Sequence, residues 1–218
     1  MIDSWEQEEQ PILDILWVID NSGSMNPYQT MLSNQINGFM NAFISAGADY
    51  HMAFITTDRN YAQGQIIDNS TLDPVGEASA IISNIGIYGS GMEKGIQMSV
   101  EALSDPNKLG LGSTFFRETA YLVVIYVSDE KDWSTPGWIS HVQFFDDLKE
   151  GNFMPFAVIG DPPTGCSYNW RNVQYGAGYW DLVNHYGGSW YSICAADWGS
   201  QLQSLGSQVI ARSRFSLS

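Results

Sequence analysis

The run Ile15-Leu16-Trp17-Val18-Ile19 constrains the fold more than any other segment, because it is apolar at every position rather than at alternate ones. A strand of that kind is buried on both faces, which is the pattern of a parallel sheet covered by helices. It ends in Asp20-Asn21-Ser22-Gly23-Ser24-Met25. A carboxylate and two hydroxyls at alternate positions of one tight turn can aim their oxygens at a single point. Hard divalent cations such as Mg²⁺ take such oxygens. Open α/β sheets bind ligands at the C-terminal edge of their strands, where this turn would lie.

The remaining chain repeats the alternation of strand and helix. Residues 14–20 form the first expected strand. Pro27 opens a helix in which Met31, Ile36, Phe39, Met40, Phe43 and Ile44 recur at helical spacing up to Gly47. Further strands are expected at 50–56, at 63–67 as a short edge, at 121–127, at 153–159 and, again at an edge, at 191–194. Helices are expected at 78–85, 91–103, 139–149, 178–186 and 199–212. The stretch YLVVIYV at 121–127 is the most β-rich and belongs at the centre of the sheet. Together these predict a doubly wound α/β fold, a mostly parallel central sheet with helices on both faces. A single domain should span 12–213, after an N-terminal extension at 1–11. Residues 214–218 read as the start of a further strand or module.

Composition narrows the function. A net charge of −15 over 218 residues leaves no cationic surface to displace phosphate counterions, which argues against nucleic acid and favours attraction of divalent cations. No apolar run approaches the length of a membrane span. The start, MIDSWEQEEQP, lacks the basic-then-apolar pattern of a signal sequence. That leaves export by another route, a signal already removed, or no signal-dependent export. The two cysteines, Cys166 and Cys194, are either buried thiols or a disulfide closing a loop of about 28 residues, which would require an oxidising setting.

Strand 121–127 runs into Ser128-Asp129-Glu130-Lys131-Asp132, so Asp129 should share the rim with Asp20, Ser22 and Ser24. Glu130 and Asp132 read as solvated loop acids, and Thr57 and Asp58, after the second strand, as supporting groups. A glycine-rich loop, Tyr88-Gly89-Ser90-Gly91-Met92-Glu93-Lys94-Gly95, should supply a third element. Trp133 and Trp138 follow in the rim loop and offer an aromatic platform for a sugar or peptide. Trp170, Trp180 and Trp190 read as packing residues, and His51, His141 and His185 have no ligand-like spacing.

The strand ending in Asp20-x-Ser22-x-Ser24, the later glycine-rich loop before a helix and the strand ending in Asp129 together resemble the von Willebrand factor type A domain, a Rossmann-like fold, over about 12–213. SGMEKGIQMSVEAL, YLVVIYVSDEKD and the cysteine-containing last third resemble its bacterial members. The resemblance implies a metal-ion-dependent adhesion site. Ser22 and Ser24 would ligate the cation, and Asp20 and Asp129 would hold it directly or through water. One position would stay open for an acidic group of a partner. The cation would be Mg²⁺, with Ca²⁺ or Mn²⁺ as alternatives. The family's usual threonine, three residues before the glycine of the middle loop, is here Met92, whose thioether suits a hard cation badly. Ser90 or Glu93 would stand in for it, Glu93 bringing an anionic oxygen. An extracellular, cell-surface or virion-associated binding module is the expectation. Its alternative is a structural subunit of a virion or surface appendage, assembled into a larger complex with a structural metal.

Enzyme readings fare worse. A haloacid dehalogenase-type phosphatase would use Asp20 as nucleophile, Thr56 as its hydroxyl and Asp129 with Asp132 as its acidic pair. Ser22 then occupies the place of the general acid, so the leaving group would lose its proton donor. The glycine-rich loop has the wrong spacing for a dinucleotide site, and neither a P-loop nor a nucleophile elbow occurs.

Overall fold

The computed structural model describes residues 10–58, 62–105 and 114–215. These described residues form eight strands and six α-helices: β1 (Ile12–Ile19), α1 (Asn26–Ala46), β2 (Asp49–Thr56), β3 (Ala62–Asp68), α2 (Pro74–Asn84), α3 (Gly95–Ser104), β4 (Tyr121–Ser128), α4 (Ile139–Lys149), β5 (Phe153–Ile159), β6 (Cys166–Tyr168), β7 (Arg171–Val173), α5 (Tyr179–His185), β8 (Trp190–Ser192) and α6 (Trp198–Phe215). The main sheet has the order β3-β2-β1-β4-β5-β8; β3 is antiparallel and the others run parallel.

Alternate side chains of each central strand serve two cores. Leu13, Ile15, Trp17 and Ile19 of β1 face one, which α1, α2 and α6 cover. Leu16 and Val18 face the other, beneath α3, α4 and α5. Burial on both sides is why β1, β4 and β5 read as unbroken apolar runs. The doubly wound α/β architecture expected from the pattern is therefore present.

Register fixes where the loops emerge. Ile19 pairs with Thr56 on one side and with Val127 on the other, and Ser128 pairs with Ile159. Four parallel strands thus end level, and the residues just beyond them, Asp20, Thr57 and Asp129 among them, crowd one edge.

The opposite edge is closed by a cationic clamp. Arg117 donates from its backbone N and its Nε to the buried Asp14 carboxylate at 2.6 and 2.8 Å, and from Nη1 to Asp49 at 2.7 Å. Lys149, itself buried, donates to the carbonyls of Arg117, Glu118 and Ala120 at 2.6, 3.2 and 2.7 Å, with its ammonium 4.1 Å from the Phe116 ring centre. A buried ammonium is tolerated because it is satisfied on all sides.

Several expectations need correction. The third helix starts at Gly95 rather than at 91, leaving Gly91 to Lys94 as loop. A short hairpin, β6–β7, with three residues in each strand and a two-residue tip, occupies a region the pattern left unassigned. The last helix runs to Phe215, so Arg214 and Phe215 continue a helix instead of opening a strand. Residues 216–218 and most of the expected N-terminal extension, residues 1–9, lie outside the described residues.

Candidate functional site

Asp20 leaves β1 fully buried, and both of its oxygens are engaged. Oδ1 accepts from the Ser22 backbone N at 2.7 Å, and Oδ2 from the Ser128 hydroxyl at 2.7 Å. Two residues on, the Ser22 and Ser24 hydroxyls lie 3.0 Å apart, and Ser24 Oγ donates to Asp129 Oδ1 at 3.0 Å. Asp20, Ser22, Ser24 and Asp129 therefore form a continuous line of oxygens across the ends of β1 and β4. The glycine-rich loop abuts it. Gly89 N donates to Asn21 O at 2.8 Å, and a Cβ at Gly89 would meet the Asn21 side chain at 2.3 Å, so a larger residue there would have to displace the buried Asn21 amide.

From the same loop, Glu93 enters the edge fully buried. One of its oxygens, Oε2, accepts from the Thr57 hydroxyl at the end of β2. The other, Oε1, is buried with no hydrogen-bond donor. Burial raises the Glu93 pKa, and the nearby Asp20 carboxylate raises it further. Asp20 is pushed the same way by burial, against its bonds from Ser22 and Ser128 and with help from the Asp129 charge. Asp129 is also raised by burial, although Ser24 and the Arg171 guanidinium pull it back. Among the described residues no lysine or arginine makes an ion pair with Asp20, Glu93 or Asp129. Buried carboxylates normally have a cationic partner or a full set of donors. This cluster lacks a cationic partner, and its three acids are instead held above their ordinary pKa values.

The donor set suits a hard metal: carboxylate and hydroxyl oxygens, with neither thiolate nor imidazole. Among the described residues no group of three or more His, Cys, Asp and Glu is arranged to hold a metal by itself. Any cation here would accordingly depend on the Ser22 and Ser24 hydroxyls as well as on carboxylates.

Other residues singled out by the sequence fall elsewhere. Ser90 is exposed and turned into its own loop: its N donates to Asp58 Oδ2 at 3.0 Å, and its Oγ accepts from Met92 N at 3.0 Å. Met92 is 56 % exposed, away from the buried oxygens, so the residue that replaces the usual threonine plays no part in the cluster. Trp133 stands at the rim, 41 % exposed, with Lys131 Nζ 3.7 Å from its ring centre. Trp138 instead packs onto the core beside His185, with ring centres 5.8 Å apart, which removes it from a shared platform. Asp132 is no solvated acid. It accepts from Ile96 N at 3.3 Å and Ser134 Oγ at 2.8 Å, and burial lifts its pKa to about 6. Trp170, expected to pack, is 100 % exposed. Cys166 and Cys194 are joined in a disulfide with a Cα–Cα distance of 6.2 Å.

This architecture is shared with von Willebrand factor type A structures. One from Catenulispora acidiphila aligns over 94 % of this chain and 43 % of its own, with 14 % identity and a TM-score of 0.53. Proximal thread matrix protein 1 of the mussel byssus, with zinc in its metal-ion-dependent adhesion motif, aligns over 92 % of this chain and 46 % of its own (15 % identity, TM-score 0.58). The conserved hypothetical protein BatB from Bacteroides thetaiotaomicron aligns over 93 % and 98 % (12 % identity, TM-score 0.57). The chain thus spans less than half of the first two proteins and nearly all of the third. No family model matches the sequence, and no curated protein does. The chain has the von Willebrand factor type A fold.

Proposed function

We propose that this chain is a divalent-cation-dependent binding module, holding Mg²⁺ at the strand edge and using it to engage an acidic group of a partner protein. The observation that carries this reading is the buried Asp20–Glu93 pair, two adjacent carboxyl groups with no side-chain cation beside them, set against the hydroxyls of Ser22 and Ser24. Ser22, Ser24 and Glu93 would supply oxygens to the cation, with Asp20 and Asp129 held directly or through water. When bound, the cation supplies a positive charge able to accept a carboxylate; the chain's own groups position it and shield it. Binding of this kind needs no bond cleavage. The zinc-occupied motif in the mussel protein lends support to a divalent cation on this fold. The disulfide favours an oxidising, extracellular or surface setting.

A second reading is favoured by the depth of the cluster, since Asp20 and Glu93 are each 0 % exposed. Three carboxylates around one cation would mute its pull on an external acid, leaving Ca²⁺ or Mg²⁺ as a structural ion in an assembled surface component. One experiment covers both. Thermal unfolding is followed with Mg²⁺, Mn²⁺, Ca²⁺ or chelator, for wild type and Asp20→Ala, alongside retention of the protein on an immobilised acidic peptide. A metal-induced rise in midpoint that Asp20→Ala abolishes, with chelator-sensitive retention, is expected. A rise without retention would favour the structural ion, and no rise with any metal would sink both readings.

A further inference from the structure

Between β5 and α5 the chain makes a detour that the sheet does not require, the β6–β7 hairpin. Its two-residue tip is Asn169-Trp170, with φ of 46° and 69°. Tips of this kind favour Asn-Gly, because both positions take positive φ and glycine does so without a Cβ penalty. Here tryptophan occupies the second position, with its side chain 100 % exposed. The backbone is strained there, and the large burial gain an indole offers is forgone. Among the described residues, no ring contact or hydrogen bond engages the Trp170 side chain.

The hairpin base is nevertheless held tightly. Cys166 is bonded to Cys194, the Tyr168 ring centre lies 5.7 Å from that of Tyr28, and Gln174 N donates to Asp129 O at 3.1 Å. Beside Trp170, Arg171 Nη1 reaches to 3.5 Å from Ser24 O, and its charge acts on both Asp129 and Tyr28. The Tyr28 hydroxyl in this corner is buried without a partner. A strained, unburied indole and a guanidinium are therefore carried on a braced arm to the border of the oxygen cluster. Tryptophan and arginine are the residue types that most often dominate binding energy, and rigid presentation lowers the entropy lost on association.

We infer that the β6–β7 hairpin is the specificity arm of the candidate site, and that it selects a peptide segment in which an acidic residue is flanked by apolar side chains. Trp170 packs against the apolar flank, while Arg171 and the cation attract the acid. Charge complementarity decides the class of occupant: in a chain of net charge −15, this corner pairs a guanidinium with a cation site, so an acidic segment is drawn here. The inference rests on the metal-dependent reading above.

The test uses fluorescence anisotropy with labelled short peptides carrying one central Asp, flanked either by Leu and Phe or by Ser, against the whole chain in Mg²⁺ and in chelator. Wild type should bind the apolar-flanked peptide about tenfold tighter, a factor equivalent to about 1.4 kcal/mol. Trp170→Gly should erase that preference and keep the Mg²⁺-induced rise in thermal midpoint; Arg171→Ala should weaken both peptides alike. Equal binding of the two peptides by wild type, a preference that survives Trp170→Gly, or binding of neither peptide would overturn the inference. Failure of the metal reading is separately visible, as a wild-type midpoint that ignores Mg²⁺, and it would remove the site this arm is proposed to serve.

Discussion

Replacing Glu93 by Gln changes one atom and one charge at the most burdened point of the molecule. In the metal-free protein, burial and the Asp20 carboxylate lift the Glu93 pKa to about 9, so folding at neutral pH obliges Glu93 to take up a proton, while its Oε2 takes the Thr57 hydroxyl. The glutamine amide keeps an acceptor for Thr57 and adds an N–H that can face Asp20. Glutamine is neutral without that proton uptake, which at neutral pH spares the folded state about 2 kcal/mol. For a domain of this size that raises the midpoint by about 4–8 °C in chelator. Metal reverses the order of merit. A cation at 100 times its Kd stabilises wild type by about 2.7 kcal/mol, and Glu93→Gln, lacking an anionic oxygen, gains less. The pH dependence has a defined sign. Asp20 and Glu93 both have folded pKa values above their unfolded ones, so the folded metal-free state binds protons more tightly and stability falls as pH rises from about 4. Glu93→Gln should flatten that decline. Scanning calorimetry from acid to neutral pH, with chelator and with Mg²⁺, measures all of this. A variant no more stable than wild type in chelator, with an undiminished metal response, would refute the reasoning.

Two further outcomes concern the frame that holds the site. Lys149→Met removes the ammonium from three carbonyls and should cost about 3–5 kcal/mol in denaturant titration, the sum of several buried acceptors left unmet, while sparing the metal response at the far edge. Replacing Cys166 and Cys194 together by Ser opens a loop of 28 residues and should cost about 3.6 kcal/mol; it should also loosen the hairpin, seen as faster proteolysis between Gly165 and Gln174.

What could be read in the chain, and what could not, follows from the length scale of each signal. Runs such as Ile15–Ile19 and Tyr121–Val127 announce buried parallel strands because every position is apolar, and the level ends of those strands carry Asp20 and Asp129 to one edge. The hairpin escaped because its strands have only three residues each, too few for a period of two to register, and because Trp170 stands where a turn would advertise glycine. The pattern starts α3 too early because Gly91 to Lys94 contains nothing that forbids a helix; in the fold these residues stay non-helical, and the Glu93 carboxylate takes the Thr57 hydroxyl. Thr57 carried a usable signal, a hydroxyl just past a strand level with β1. Asp132 carried none, because its burial depends on the approach of α3.

The bonds between the glycine-rich loop and the segment after β4 have a mechanical consequence. Trp133 N donates to Glu93 O at 2.6 Å, Asp132 takes Ile96 N, and Ser134 Oγ takes Gln97 N at 2.9 Å. Two walls of the cluster are thereby riveted into one plate that includes the first turn of α3. A tug on the cation would not bend a single finger of chain; it would tilt that plate against the sheet. Amides of Ile96, Gln97 and Trp133 should then exchange with solvent as one cooperative group, slowing together when metal is added.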